Sequence, residues 1–143
     1  MNNRKTGLFL AAACLSLTLL TGCSAESTKN YKQAAQDLEN GNYEDALEEY
    51  QAAISAGVKP AQSYRGAGVA QLKLGNYDEA VTYFSNALDC DKVGKALKKD
   101  ILSYRAAAYL KLKEYEEAMA DCQALAESYN MDADLYFLTG ETA

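Results

Sequence analysis

A motif that recurs after 34 residues is the strongest constraint on the fold of this chain. The segment 75–88 begins Gly-Asn-Tyr and continues with an alanine, a phenylalanine and a second alanine. The segment 41–54 has the same glycine, two aromatic residues and two alanines at the same positions, and a looser third copy covers 113–125. Self-similarity at a fixed period of this length is the signature of stacked repeats. The recurrence predicts a repeat architecture that acts by binding on a concave surface.

Each repeat is predicted to form two helices joined by a tight turn. In 61–74, small or apolar residues recur at the intervals of three and four that mark a helical face: Tyr64, Ala67, Gly68, Gln71 and Leu72. Gly75 ends this helix where a left-handed residue is needed, and Tyr77 begins the second helix. Gly66 and Gly68 lie inside the first helix and are interpreted as close-packing positions. The predicted buried stripe of the second helix is Ala80, Phe84, Ala87 and Leu88.

This pattern resembles the tetratricopeptide repeat, a helix–turn–helix unit with aromatic, glycine and alanine residues at fixed positions. The second repeat carries most of these residues: Tyr64, Gly68, Gly75, Tyr77, Ala80, Phe84 and Ala87. The resemblance implies an all-α fold, a right-handed helical solenoid of about three helix–turn–helix repeats plus a terminal helix. The predicted domain is 31–143, with repeats at about 27–60, 61–98 and 99–132 and a partial repeat or capping helix at 133–143.

Departures from the pattern carry further predictions. Asn30 stands where the first repeat should have a large aromatic, so its opening helix is expected to fray. Four extra residues precede the third repeat, and we place them in the inter-repeat turn around 91–98. Lys113 and Cys122 replace the turn glycine and the second aromatic of the third repeat. The insertion holds a lysine cluster, interpreted as a solvated loop with contact to anionic lipid headgroups as the alternative: Lys92, Lys95, Lys98 and Lys99.

The amino terminus resembles a bacterial lipoprotein signal peptide. Arg4 and Lys5 precede an apolar run over 8–20, which is shorter than the ~20 residues that span a bilayer and is typical of a signal peptide. The run leads into Leu20-Thr-Gly-Cys23, which resembles the lipobox. An ordinary signal peptide or an uncleaved anchor that carries a cysteine is the alternative interpretation.

The lipobox resemblance implies that the Cys23 thiol receives a diacylglyceryl group and that the chain is cleaved before it. Residues 1–22 are then the signal peptide, and 23–30 are the lipidated cysteine and an extended polar tether. Two acyl chains on one residue hold a protein stably at a membrane, whereas one chain binds only marginally. We therefore expect an extracytoplasmic location, anchored to a bacterial membrane through Cys23.

Composition argues against catalysis and against nucleic acid. The chain has no histidine, which removes the commonest general base and metal ligand, and no cofactor or metal motif is present. A net charge of −6 disfavours binding to nucleic acid. The paired acids at 44–45, 78–79 and 116–117 recur with the repeats, so they are interpreted as starts of second helices. Cys90 and Cys122 could form a disulfide, but two buried, unpaired thiols are favoured.

In the tetratricopeptide family the first helix of each repeat lines a concave groove that binds the ligand. The resemblance implies these groove residues: Tyr31, Ala35, Glu39, Gln62, Arg65, Val69, Lys73, Ser103, Ala107, Lys111 and Phe137. Cations at positions 65, 73 and 111 would bind carboxylates of a peptide, with Tyr31 and Phe137 as apolar anchors. The predicted function is a membrane-anchored, non-catalytic adaptor that binds a protein or peptide in envelope assembly or secretion. The alternative is a surface lipoprotein that binds a small ligand or glycan in the same groove.

Overall fold

The structure is a computed structural model that describes the backbone of residues 17–140 and the side chains of residues 25–129. The described residues form six helices and no strand: α1 Leu17–Asn40, α2 Tyr43–Ser55, α3 Pro60–Leu74, α4 Tyr77–Leu88, α5 Lys95–Leu112 and α6 Tyr115–Gly140. The predicted all-α, tetratricopeptide-like solenoid is confirmed.

The helices pack in chain order. Two-residue turns join α1 to α2, α3 to α4 and α5 to α6, and both members of each pair are in contact. Contacts also join α2 to α3 and α4 to α5. Since helices joined by short connections pack antiparallel, the first helices of the repeats (α1, α3, α5) run in one direction and the second helices (α2, α4, α6) in the other.

The three turns within repeats share one geometry. Gly41 and Gly75 both have φ +85°, and Lys113 occupies the third turn at φ +65°. After each of these residues an amide donates to a carbonyl one helical turn back, at 2.9 Å: Asn42 to Asp37, Asn76 to Gln71 and Glu114 to Tyr109. Glycine adopts this left-handed conformation without strain, whereas a residue with a Cβ is destabilised there by roughly 1–2 kcal/mol.

The core consists of two apolar clusters between the repeats. Tyr50, which is 3% exposed, lies in the first cluster, and Phe84, which is fully buried, lies in the second with Ile101. A Cβ at Gly66 would overlap the Tyr50 ring, and one at Gly68 would lie 2.7 Å from Phe84 Cε1. The predicted close-packing role of both glycines is confirmed.

The third repeat is held together differently. Arg105 on α5 donates from Nε and Nη2 to the two carboxylate oxygens of buried Asp121 on α6, at 2.8 and 2.6 Å, and from Nη1 to Ser85 on α4 at 3.0 Å. The hydrogen bonds to Asp121 raise the pKa of the Arg105 guanidinium. Cys122 is exposed, so its predicted burial is wrong, because no helix covers this side of α6 within residues 17–140. Cys90 is half-buried and not fully buried as predicted, and the thiols of Cys90 and Cys122 are free.

Helix α1 differs from the sequence prediction. It continues through 23–30, so the segment predicted to be an extended tether is helical, and Asn30 does not fray it. Tyr31 supplies the aromatic that Asn30 lacks, because its ring packs edge-on against Tyr50 with the centroids 6.0 Å apart. The part of the predicted signal peptide up to residue 16, and the side chains of the predicted lipobox including Cys23, lie outside the described residues.

The insertion and the carboxyl-terminal segment also differ from expectation. The α4–α5 loop, 89–94, takes up only part of the insertion, and the rest extends α5 to 18 residues where α3 has 15. Most of the lysine cluster therefore lies on the first turns of α5 and not in a loop. Residues 133–140 continue α6 without a break instead of forming a separate helix.

Candidate peptide-binding surface

The first helices run in the same direction, so equivalent positions of successive repeats lie side by side. Five of the predicted groove residues are exposed and define what we call the first-helix surface: Glu39, Gln62, Lys73, Ser103 and Lys111. Glu39, Lys73 and Lys111 occupy the equivalent position near the end of α1, α3 and α5. Ala35 and Ala107 are half-buried between these positions. The structure thus brings together about half of the predicted groove as an accessible polar row.

Arg65 was predicted to bind ligand carboxylates, but it binds one from its own chain. Its Nε donates to Asp100 Oδ2 at 2.7 Å, and its guanidinium lies 5.1 Å from the centre of the Tyr104 ring. Both partners are on α5, so Arg65 links the second repeat to the third. A ligand carboxylate would have to compete with Asp100 for Arg65, and the predicted role of Arg65 in the groove stays a prediction.

Two further predicted groove residues contact the core. Val69 is 5% exposed and packs in the cluster that contains Ile101 of α5, because α5 covers this side of α3. Tyr31 packs on Tyr50, and the Lys59 ammonium lies 4.8 Å from its ring centre. The assignment of Val69 to an open groove is therefore wrong, whereas Tyr31 is half-buried and its assignment stays a prediction.

Phe137 lies on α6 and not on a first helix, so the element assigned to it is wrong; its side chain is outside the described residues.

A row of leucines that was not among the predicted groove residues lies beside this surface. Leu38, Leu72 and Leu110 hold the equivalent position one residue before Glu39, Lys73 and Lys111. The first two are half-buried against the core, whereas Leu110 is 54% exposed. Their recurrence with the repeats was the signal that could have identified them. Leu110 adds an apolar contact to the end of the first-helix surface.

Acidic residues concentrate at the first repeat, away from the first-helix surface. An open depression of about 360 Å³ is lined by Asn30, Asp37, Asp45, Glu48, Glu49 and Ala52. Burial, together with neighbouring Asp37, raises the pKa of Glu49. Hydrogen bonds from Gln33 and Asn42, at 3.0 and 3.1 Å, lower the pKa of Asp37. This arrangement places one carboxyl group that resists ionisation next to one that ionises readily.

The described residues offer no group of three or more His, Cys, Asp or Glu residues that could hold a metal ion. No helix between residues 17 and 140 has both the length and the apolar character needed to cross a membrane.

Residues 31–94 match the tetratricopeptide repeat family, and this range covers most of the first two helix pairs. Residues 31–94 therefore consist of tetratricopeptide repeats. The third pair, α5 and α6, extends the same alternation of first and second helices beyond the matched range. Repeats of this family bind protein partners, so a role in protein–protein interaction is indicated for this chain.

The chain is also similar to longer proteins. It is 34% identical over 116 residues to a DnaJ homolog subfamily C member 7 homolog of Schizosaccharomyces pombe, covering 77% of this chain and 23% of the relative. It is 36% identical over 95 residues to a Protein SGT1 homolog of Oryza sativa subsp. japonica, covering 61% of this chain and 25% of the relative. The chain thus spans about a quarter of the length of these curated relatives.

Proposed function

We propose that this protein is a lipid-anchored, extracytoplasmic adaptor without catalytic activity, which binds a peptide segment of a partner protein in envelope assembly or secretion. The observation that carries this proposal is the accessible row of side chains on the parallel first helices. The row is open along its length, which favours an extended or helical peptide over a small enclosed ligand.

The chemistry of the row defines the peptide. Lys73 and Lys111 are exposed cations at equivalent positions, and each can bind a carboxylate as a point charge. Leu110, exposed beside Lys111, offers an apolar contact. Gln62 can donate a hydrogen bond to a peptide backbone, whereas the Ser103 hydroxyl, which donates to the Lys99 carbonyl at 2.9 Å, can accept one. The peptide that fits best has acidic residues and at least one apolar side chain.

Crosslinking in the native host tests the binding surface. A photoactivatable residue placed at Gln62 or Lys111 should trap a specific protein partner. The matched control places the same residue at Thr82 or Glu117, which are exposed on second helices. Trapping from Gln62 and Lys111 only would support the proposal. Equal trapping from both sets, or trapping from the second helices alone, would contradict it.

The anchor is supported by the lipobox and is tested separately. Metabolic labelling with a fatty acid should label the full chain, and Cys23→Ala should abolish the label. Cys14→Ala is the matched control, because Cys14 is the other cysteine in the amino-terminal region and should not be needed. Label that persists in Cys23→Ala would refute the anchor without affecting the peptide-binding surface.

A further inference from the structure

Charge is unevenly distributed between the two edges of the solenoid. Because the first helices are parallel, their starts and the ends of the second helices lie at one edge, the inter-repeat edge, comprising 25–32, 52–61, 85–99 and 125–129. The tight turns lie at the opposite edge, the turn edge, comprising 37–46, 71–80 and 109–118. These two edges differ in the sign of their charge.

The inter-repeat edge is basic although the protein is acidic. Among the residues whose side chains are described, it carries seven lysines, namely Lys29, Lys32, Lys59, Lys92, Lys95, Lys98 and Lys99, against four acids, namely Glu26, Asp89, Asp91 and Glu127. The turn edge carries nine acids, namely Asp37, Glu39, Glu44, Asp45, Asp78, Glu79, Glu114, Glu116 and Glu117, against three lysines, namely Lys73, Lys111 and Lys113. An anionic surface would attract the first edge and repel the second.

The residue proposed to carry the lipid lies at the basic edge. Helix α1 enters the solenoid from that edge and includes Cys23. Six residues of helix separate Cys23 from Lys29, about 9 Å at 1.5 Å per residue. A lipid on Cys23 would therefore bring the basic edge, and not the acidic one, to the membrane.

The surface of the basic edge suits lipid headgroups. A depression of about 410 Å³ between the start of α3 and the 89–94 loop includes Lys92 and Lys95 in its lining. A second, of about 270 Å³, lies between α5 and α6 and includes Lys98. The Lys99 ammonium lies 4.1 Å from the centre of the Tyr129 ring, which is 62% exposed. Lysine and tyrosine both combine an apolar body with a polar tip, as residues at membrane interfaces do.

We propose that the inter-repeat edge lies on anionic lipid headgroups and that the acidic turn edge points away from the membrane. This orientation rests on the proposed anchor at Cys23 and adds to it. The helices would then stand away from the membrane plane, so the first-helix surface would face sideways and remain accessible to a partner. Each lysine near an anionic surface adds about fivefold to membrane affinity.

Amine labelling of the lipidated full chain in vesicles tests the orientation. The vesicles contain about one-third phosphatidylglycerol in phosphatidylcholine, or phosphatidylcholine alone. Mass spectrometry follows the acylation rate of each lysine by a reagent that does not cross membranes. We expect Lys59, Lys95 and Lys98 to react at least about fivefold more slowly when phosphatidylglycerol is present. Lys73 and Lys111 on the turn edge are internal controls and should react equally in both.

High salt separates headgroup contact from other causes of protection. At about 1 M salt the Debye length falls to about 3 Å, so the protection should be lost. Equal rates for the two sets of lysines in anionic vesicles would overturn the proposal. Protection that is the same without phosphatidylglycerol would also overturn it, and would indicate contact with another protein copy.

Charge variants provide a second readout. Substituting glutamine at Lys92, Lys95 and Lys98 together should remove the protection of Lys59. The matched triple substitution at Lys73, Lys111 and Lys113 should leave the protection of Lys59 intact, and equal effects of both triple substitutions would refute the preference for the inter-repeat edge.

The same labelling is done with full-length Cys23→Ser added to preformed vesicles. Protection of the inter-repeat lysines in Cys23→Ser would support contact between the inter-repeat edge and the headgroups even if the anchor is refuted. Absence of protection from both the lipidated chain and Cys23→Ser would refute that contact.

Discussion

The second and third repeats have the same helical pattern but different surroundings. Phe84 on α4 is fully buried, whereas Cys122, its equivalent on α6, is exposed. Val81 is half-buried against the core, whereas its equivalent, Met119, is 60% exposed. The difference is that α5 packs on α4, while no helix packs on this side of α6 within residues 17–140. Burial of a repeat position therefore depends on the neighbouring repeat as much as on the residue itself.

The two repeats are also stabilised by different interactions. Phe84 stacks on Tyr104 with ring centroids 5.9 Å apart, so an apolar contact joins the second repeat to the third. In the third repeat the buried ion pair of Arg105 and Asp121 joins α5 to α6. A buried ion pair that loses one partner is strongly destabilised, because the remaining charge is left uncompensated.

The largest expected difference in stability is between substitutions at Phe84 and at Cys122. Phe84→Ala should lower the free energy of unfolding by about 3–5 kcal/mol, because it leaves a cavity in the core. Cys122→Ala should change it by less than about 0.5 kcal/mol, because the side chain is at the surface. Urea unfolding followed by circular dichroism measures both. Similar losses for the two variants would show that α6 is covered in solution.

Loss of the ion pair between Arg105 and Asp121 in the third repeat should have the second largest effect on stability. Asp121→Asn should lower the free energy of unfolding by about 3 kcal/mol, because it leaves the Arg105 charge without its carboxylate. Asp100→Asn is the matched control: its partner is Arg65, and both side chains are partly exposed, at 41% and 28%. That pair should contribute about 0–1 kcal/mol. Equal losses of unfolding free energy for the two variants in urea would show that burial of Asp121 does not determine the contribution of its ion pair.

Glycine packing in the second repeat should have an intermediate effect. Gly66→Ala should cost about 1–3 kcal/mol, because the new methyl group meets the Tyr50 ring. Gly94→Ala is the control, since a Cβ there meets nothing within 4 Å. Thermal unfolding compares the two variants. Combining Gly66→Ala with Tyr50→Ala should cost less than the sum of the single changes, and strict additivity would contradict the contact.

The smallest expected effect concerns the turns. Lys113→Gly should stabilise the third repeat by about 1 kcal/mol, because glycine adopts the left-handed conformation at φ +65° without strain. Gly75→Ala, in the equivalent turn at φ +85°, should destabilise by a similar amount. Midpoints of urea unfolding provide the comparison. Shifts of the same sign would indicate that the two turns differ in solution.

Features that depend on a single repeat were predictable from the sequence. The turn glycines, the aromatic slots at Tyr50 and Phe84, and the packing glycines follow from residues within one period. Features that depend on the neighbouring repeat were not predictable from the sequence. Periodicity does not show that α5 covers Val69 or that α6 stays uncovered at Cys122.

The predicted binding site was less accurate for the same reason. Asp100, the partner of Arg65, lies just after the insertion, where the repeat pattern does not identify equivalent positions. The 23–30 segment was interpreted as a tether from its polar composition, although no proline or glycine after Gly22 interrupts a helix there. Exposed positions such as Lys73 and Lys111 were predictable because they depend only on the face of one helix.

Hydrogen exchange of backbone amides tests the central claim, that stacking of a following repeat determines the environment of each helix. Helices α3 and α4, which have neighbours on both sides, should open with the highest free energy. Amides of α6 between 118 and 129 should exchange at least about tenfold faster than those of α4, because α5 is the only helix within residues 17–140 that packs on α6. Protection of α6 equal to that of α4 would contradict the account and would mean that another element covers this helix in solution.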